Sequence, residues 1–318
     1  MKQNAHIRIR RTLRGAITAL VVGAAPVLLA QQEVMVSQYM FNGLFLNPAY
    51  AGSHPYMSGS LLHRAQWMSV EGAPRTSMLA VDAPLMGDRM GLGFTLVHDR
   101  IGVSRDMEMS GQYAYRIRTG ESGRLAFGLK AGLSLYSARL SDLIYWDTQD
   151  ALYQQNISNA VLGKFGFGIY WADDRSYVGL ALPTLYAADR NLSREPQSGT
   201  AHYFTQHYYL NAGHVFELTP DLDLKPSILI KYENSAPAQV DVNANLLFKD
   251  RFWIGAGYRT GDALVCMVEY QVNPMFRAGY AYDMTTSKLG NYTSGSHEVM
   301  LGIDLGRDPV KIKTPRYF

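Results

Sequence analysis

From about residue 58 to residue 306, apolar and polar residues alternate one for one, and helical spacing is nearly absent. Within 275–284, Phe276, Ala278, Tyr280, Tyr282 and Met284 share one parity, while Arg277, Gly279, Ala281 and Asp283 share the other. Residues 238–249 repeat the pattern, with Val240, Val242, Ala244, Leu246 and Phe248 set against Asp241, Asn243, Asn245 and Lys249. In 123–136, Leu125, Phe127, Leu129, Ala131, Leu133 and Leu135 oppose Arg124, Gly128, Lys130, Gly132 and Ser134. In a pleated strand such sets project to opposite sides. The rhythm predicts strands near 58–69, 75–85, 90–98, 105–119, 123–140, 160–172 and 175–186. It continues through 201–218, 222–233, 238–249, 251–260, 262–272, 275–286 and 296–306. Many of these segments reach ten residues or more, long for a globular sheet and suited to a tilted membrane crossing.

The connections carry a second rhythm. Those after even-numbered strands are tight: Met86-Gly-Asp88, Gly120-Glu-Ser122, Asp173-Asp174, Thr219-Pro-Asp221, Lys249-Asp250 and Asn273-Pro274. Those after odd-numbered strands include the long runs 141–159, 187–200 and 287–295. Short turns at one rim and longer loops at the other characterise bacterial outer-membrane barrels, whose short turns are periplasmic. The fold expected is all-β: a transmembrane antiparallel barrel of about 14 strands. An even count places both termini on the periplasmic side. Polar sets would line the lumen and apolar sets meet lipid, with Tyr113, Tyr115, Tyr258, Tyr280 and Tyr282 as interfacial aromatics. Paired glycines at one parity (Gly91/Gly93, Gly166/Gly168, Gly255/Gly257) would let the sheet coil. A soluble sandwich with Tyr-rich strands also alternates; strand length and loop rhythm favour the barrel.

Charge alters this picture mainly at the N-terminus. Lys2, Arg8, Arg10, Arg11 and Arg14 precede an apolar run ending at Ala30, the layout of a secretory signal peptide over 1–30. Of 30 Lys and Arg against 27 Asp and Glu, those five leave with the signal, so 25 basic residues face 27 acidic ones. A chain of that balance has no electrostatic basis for binding nucleic acid. With 12% aromatic and 18% charged residues, it does not read as disordered either. Cys266, the single cysteine, lies in Leu264-Val-Cys-Met-Val268 and reads as a small buried hydrophobe.

Between the signal and the first strand lies a leader, 31–57, whose segment SQYMFNGLFLNPAYAGS starts at Ser37. It is apolar and aromatic, yet Gly43, Pro48 and Gly52 interrupt it, so neither a long helix nor a strand is expected. Such a segment has to be buried, and the barrel mouth or lumen is the place available. The barrel would then occupy 58–306 and a basic, aromatic tail 307–318.

The leader, followed by HRAQWMSVEGAPRTSMLAVDAPL from His63, resembles the PorP/SprF family of type IX secretion system membrane proteins of the Bacteroidetes. The resemblance implies an integral outer-membrane protein without enzymatic activity. It further implies partnership with periplasmic ring subunits of the secretion machine and with cargo or adhesin bearing a C-terminal sorting domain, including adhesin export in gliding. The other functional classes are a passive channel for small or hydrophobic solutes and a surface adhesin scaffold.

No motif anchors a reaction, a cofactor or a metal. His202 and His214 share a face of one predicted strand but stand roughly 40 Å apart, and His207 takes the other face. His63 opposes Ser58 and Ser60 in parity, and Asp173/Asp174 and Asp221/Asp223 suit Asx turns better than acid–base chemistry. The candidate residues are therefore partner contacts. Asn42, Asn47, Pro48 and Tyr50 lie in the leader, where packing against the barrel wall would explain them equally well. Trp67, Gly72, Pro74 and Arg75 frame the first outer loop, where turn geometry alone accounts for Gly72 and Pro74. Arg316 and Phe318 mark the tail, either as a periplasmic docking peptide or as a barrel-assembly signal.

Overall fold

The computed structural model describes residues 34–143, 156–189, 206–233 and 236–306. Its first strands are β1 (Met57–Ala65), β2 (Arg75–Leu85), β3 (Met90–Ile101), β4 (Ser104–Thr119), β5 (Gly123–Ala138), β6 (Ile157–Ala172) and β7 (Ser176–Asp189). Next come β8 (His207–His214), β9 (Phe216–Thr219), β10 (Leu222–Glu233) and β11 (Ala236–Phe248). The last are β12 (Phe252–Arg259), β13 (Ala263–Gln271), β14 (Phe276–Thr285) and β15 (Ser296–Leu305). Apart from β8 and β9, neighbours along the chain pair antiparallel, and β1 pairs with β15 from Met57 opposite Leu305 to Ala65 opposite His297. The sheet is therefore closed, which leaves lipid no unpaired edge.

β8 and β9 both pair with β10, on its C-terminal and N-terminal halves respectively. They are two pieces of one stave, interrupted at Val215, whose amide turns to the Arg175 carbonyl. Counted so, the barrel has 14 staves, the number expected from the alternation. Expected residues 201–205 of that stave lie outside the described residues. β1 ends at Ala65, earlier than the alternation suggests, because Trp67 and Ser69 adopt positive φ in the loop that follows.

The two faces separate by parity. On β14, Arg277, Gly279, Ala281 and Asp283 are buried while Phe276, Tyr280 and Met284 are exposed. On β11, Asp241, Asn243 and Asn245 are buried and Val242, Ala244 and Phe248 exposed. Lys249 departs from the expected lumenal set: it ends in the β11–β12 turn at φ +51°, exposed. Leu129 is 59% and Leu301 55% exposed, alongside Leu133, Ile254 and Phe165. A belt of bare aliphatic side chains over a charged interior is the inverse of a water-soluble protein and the arrangement lipid requires. None of the described helical segments is long and apolar enough to cross a membrane.

Cys266 is exposed, contrary to the buried position expected for it. Its segment is apolar on both faces for different reasons. Leu264, Cys266 and Val268 point outward, whereas Val265 and Met267 point inward and join the core. A lipid-soluble thiol reagent is therefore expected to label Cys266 in membranes, and a charged, membrane-impermeant maleimide to leave it unmodified until detergent is added. Gel-shift labelling with the two reagents measures this.

Candidate functional site: a segment threaded through the lumen

The leader lies inside the barrel. It forms three short 3-10 turns, Tyr39–Phe41, Gly43–Phe45 and Pro48–Tyr50, joined by Asn42 and by Leu46 and Asn47. Asn47 starts the last of them. Its Oδ1 accepts the Ala49 amide at 2.9 Å, and Pro48 occupies the first position, where no amide is needed. Tyr39, Met40, Phe41, Leu44, Leu46 and Tyr50 are buried. At about 1.5–3 kcal/mol for each large side chain, this burial alone is a strong retaining force.

One end of the leader is held by charge. The Glu298 carboxylate accepts the backbone amides of Ser37 and Gln38, both at 2.8 Å. The Ser37 hydroxyl donates to Asp283 at 2.8 Å and accepts from Arg64 and Arg259 at 3.0 and 3.1 Å. Arg64 bridges Asp283 and Glu298 at 2.7 and 3.2 Å, and Arg259 joins Asp283, Asp241 and Asp262. Lys231 extends the network to Asp241 at 3.3 Å. Arg64, Glu298 and Asp283 are each at most 3% exposed at the side chain. These residues come from β1, β10, β11, β12, β14, β15 and, for Asp262, the β12–β13 turn, all near the loop-bearing rim.

The middle and the other end are held by shape and by backbone polarity. Asn47 Nδ2 donates to the Ile169 carbonyl at 2.9 Å. A Cβ at Gly128 would overlap the Pro48–Ala49 backbone, and one at Gly168 would overlap the Asn47 side chain. These inward glycines thus form a floor for the leader, a role beyond the coiling expected of them. Gly255 and Gly257 make similar room for Asn245 and Asn243. Towards the tight-turn rim, Asp82 accepts the Gly52 amide at 2.7 Å and Arg116 donates to the Ala51 carbonyl. Tyr50 packs edge-on against His54 and Tyr170 with centroids 5.6 and 5.5 Å apart.

Replacing Asn47 with Ala removes a cap and the amide to Ile169. The expected loss is about 1–3 kcal/mol, read as a lower unfolding midpoint of the detergent-solubilised barrel.

The path of the leader revises one expectation. The even stave count brings the start of β1 and the end of β15 to one rim. Val34 nevertheless lies beside Asp99, Asp106 and His207, near the opposite rim, because the leader crosses the lumen before entering β1. The lumen is also less polar than expected. Leu62, Leu229, Trp253, Val265 and Met300 face inward and pack on Tyr39, Met40, Phe41 and Leu46. Beside the leader remains a cavity of about 130 Å³, lined by Leu46, Val97, Glu108, Lys130, Lys164 and Tyr209 among others. At about 30 Å³ per water that is room for a few solvent molecules. Glu108 anchors its wall by pairing with Lys130 and Lys164 at 2.5 and 2.6 Å.

The four leader candidates are thus buried: Asn42 donates to the Ser60 hydroxyl, Asn47 caps, and Pro48 and Tyr50 pack on the floor and on Tyr170. The first-loop candidates form a separate group. The Trp67 amide donates to Ser296 Oγ at 3.0 Å, and Met68 exchanges backbone bonds with Gly295 and Ser294. Gly72, at φ +72°, accepts the Gly102 amide at 2.8 Å, and the Pro74 carbonyl accepts Gln66 at 3.0 Å. Arg75 opens β2 and is exposed. Arg316, Phe318 and His202, with residues 1–30, where a signal peptide is expected, lie outside the described residues. His207 meets Glu233 at 2.8 Å, and His214 meets Ser176 at 2.8 Å. His63 bonds Ser77 on the outer surface, away from inward Ser58 and Ser60. Asp173 accepts the amides of Arg175 and Ser176, an Asx turn. The described residues hold no metal-type cluster of His, Cys, Asp and Glu.

The clamp does not stand out in the sequence as a unit. Asp241 and Asp283 stood in the polar sets, but Arg64, Arg259 and Glu298 were not singled out. Their mid-strand charge at inward parity was the available signal.

Solved structures of similar shape include the Ralstonia pickettii toluene transporter TbuX, with TM-score 0.47 and 9% identity over 84% of this chain and 92% of that one. Acinetobacter baumannii Omp33 gives 0.43 and 8% over 80% and 99%. A Pseudomonas aeruginosa FadL homologue gives 0.42 and 10% over 84% and 92%. Likeness at that level carries nothing about ligand or activity. No curated protein matches the chain. The family model of the type IX secretion system membrane protein PorP/SprF, by contrast, matches residues 28–303. With that match covering the leader and almost the whole barrel, the chain belongs to the PorP/SprF family of type IX secretion system membrane proteins.

Proposed function

We propose that this outer-membrane barrel serves type IX secretion as a non-enzymatic binding component, engaging the sorting domain of a secreted cargo or adhesin, periplasmic ring subunits, or both. The observation that carries this reading is the occupied lumen: the leader runs through the barrel and leaves beside it a cavity of about 130 Å³, so work has to be done at the rims and loops. In this reading the tight-turn rim faces the periplasm and the loop rim faces outward. The first loop, with Trp67, Gly72, Pro74 and Arg75, then offers an outer contact surface. It is a firm one, since its backbone is bonded to the β14–β15 loop and to the β3–β4 turn. The tail residues Arg316 and Phe318 are proposed as a periplasmic contact. The buried leader residues act by holding the barrel in its closed form, and they touch a partner only if the leader leaves the lumen. A passive channel is disfavoured by the same occupied lumen.

The test is a mild-detergent pull-down of the tagged protein from its own outer membrane, with mass spectrometry of co-purifying proteins. Recovery of ring subunits or a large secreted adhesin is the expected result. Recovery of the barrel alone, together with steady ion conductance in planar bilayers, would move the assignment to a channel.

A further inference from the structure

The outer surface of the barrel carries one feature that contact with acyl chains does not explain. Arg75, Arg100 and Arg105 stand directly opposite one another on β2, β3 and β4, since Arg75 pairs with Arg100 and Arg100 with Arg105. All three are exposed and of outward parity, at the loop-rim end of their strands. Like charges directly opposed on neighbouring strands are destabilising. None of the three forms a salt bridge among the described residues, whereas the lumenal cations Arg64, Lys130, Lys164, Lys231 and Arg259 do, and Arg116 and Lys225 donate to leader carbonyls instead. The acids of these strands, Asp82, Asp99, Asp106 and Glu108, take inward parity and cannot serve as partners.

The rows beneath complete a gradient. One register step towards the membrane centre, His63, Ser77 and His98 lie side by side. The next step brings Leu61, Leu79, Leu96, Met109 and Leu133 into one row. Three guanidinium groups therefore span about 10 Å across two strand spacings, above a polar row and then a hydrocarbon surface. Forked guanidinium donors match phosphate oxygens, and the apolar row beneath matches acyl chains. Only a molecule with both parts uses both rows.

We infer that the β2–β4 face at the loop rim is a binding site for an anionic, phosphate-bearing lipid, the phosphorylated glycolipid of the outer leaflet. A multiply charged headgroup relieves the repulsion within the arginine row, which explains why three unpaired cations persist there. The leaflet assignment rests on the orientation proposed above; the arginine row does not.

The test compares the full protein with R75Q/R100Q/R105Q and with R89Q/R118Q/R251Q, which removes the same charge at the tight-turn rim. Each is purified in mild detergent, stripped of lipid, and titrated with lipopolysaccharide, phosphatidylglycerol or inorganic phosphate, with thermal stability and native mass spectrometry as readouts. Lipopolysaccharide is expected to stabilise the parent and the rim control equally. Its binding to the β2–β4 variant should weaken about a hundred-fold, roughly five-fold per arginine. Without lipid that variant should be at least as stable as the parent, which separates lost binding from a folding defect. Equal lipopolysaccharide binding by all three proteins overturns the site. Equal protection by inorganic phosphate at matched concentration overturns the lipid assignment. A preference for phosphatidylglycerol that depends on the three arginines overturns the outer-leaflet assignment, and the proposed orientation with it.

Discussion

Glu298→Ala is expected to lower the stability of the barrel by about 3–5 kcal/mol, the range for breaking a buried ion pair by removing one partner. The loss has two sources. Arg64 keeps Asp283 but loses its second carboxylate, and the amides of Ser37 and Gln38 lose the acceptor they share. Each buried donor left unmade adds a penalty of its own. Glu298→Gln should fall between parent and Ala, since an amide oxygen still accepts one of the two amides but carries no charge for Arg64. Unfolding midpoints in detergent give the order. Limited proteolysis then tells whether the Val34 end of the leader has come free. If E298A left both the midpoint and the protease resistance of the leader unchanged, the clamp would have no retaining role.

Gly128→Leu is expected to expel the leader without undoing the barrel. The new side chain would enter space occupied by the Pro48–Ala49 backbone, and the leader is the softer neighbour because the wall is held by two full strand ladders. Overpacking of this kind costs about 1–3 kcal/mol when the surroundings yield, and more when they do not. The variant should still migrate as a heat-modifiable barrel, become cleavable within the leader, and conduct ions in planar bilayers where the parent stays closed. Gly111→Leu is the matched control, because Gly111 on the same sheet has open space around its missing Cβ. Conductance from both variants, or from neither, would show that the leader is not what closes the lumen.

The positions that misled are instructive about what alternation contains. The run Leu264–Val268 is apolar throughout, so its pattern could not separate lipid-facing Cys266 from core-facing Val265 and Met267. The inward glycines were visible, but their contact with Asn47 and Ala49 is made across more than seventy residues of chain. Asn42, Asn47, Pro48 and Tyr50 stood out as unusual for a leader, and only their positions in the lumen distinguish packing from partner contact. The arginine row has the same character: Arg75 was noted for its loop, while its alignment with Arg100 and Arg105 depends on strand register.

Period-two alternation, strand length and loop rhythm determined the fold class and the stave count, because each is a property of a few neighbouring residues. Gly43, Pro48 and Gly52 likewise determined that the leader would be neither helix nor strand. The tertiary structure alone decided which residues meet. Closure of β15 on β1 brings Glu298 to Arg64, and the threading of the leader brings Ser37 between them. Both events join residues more than two hundred positions apart. The physical reason is that alternation specifies which side of the sheet a residue faces but carries no record of what lies opposite. That partner is selected by register around a closed ring and by the one segment the ring encloses.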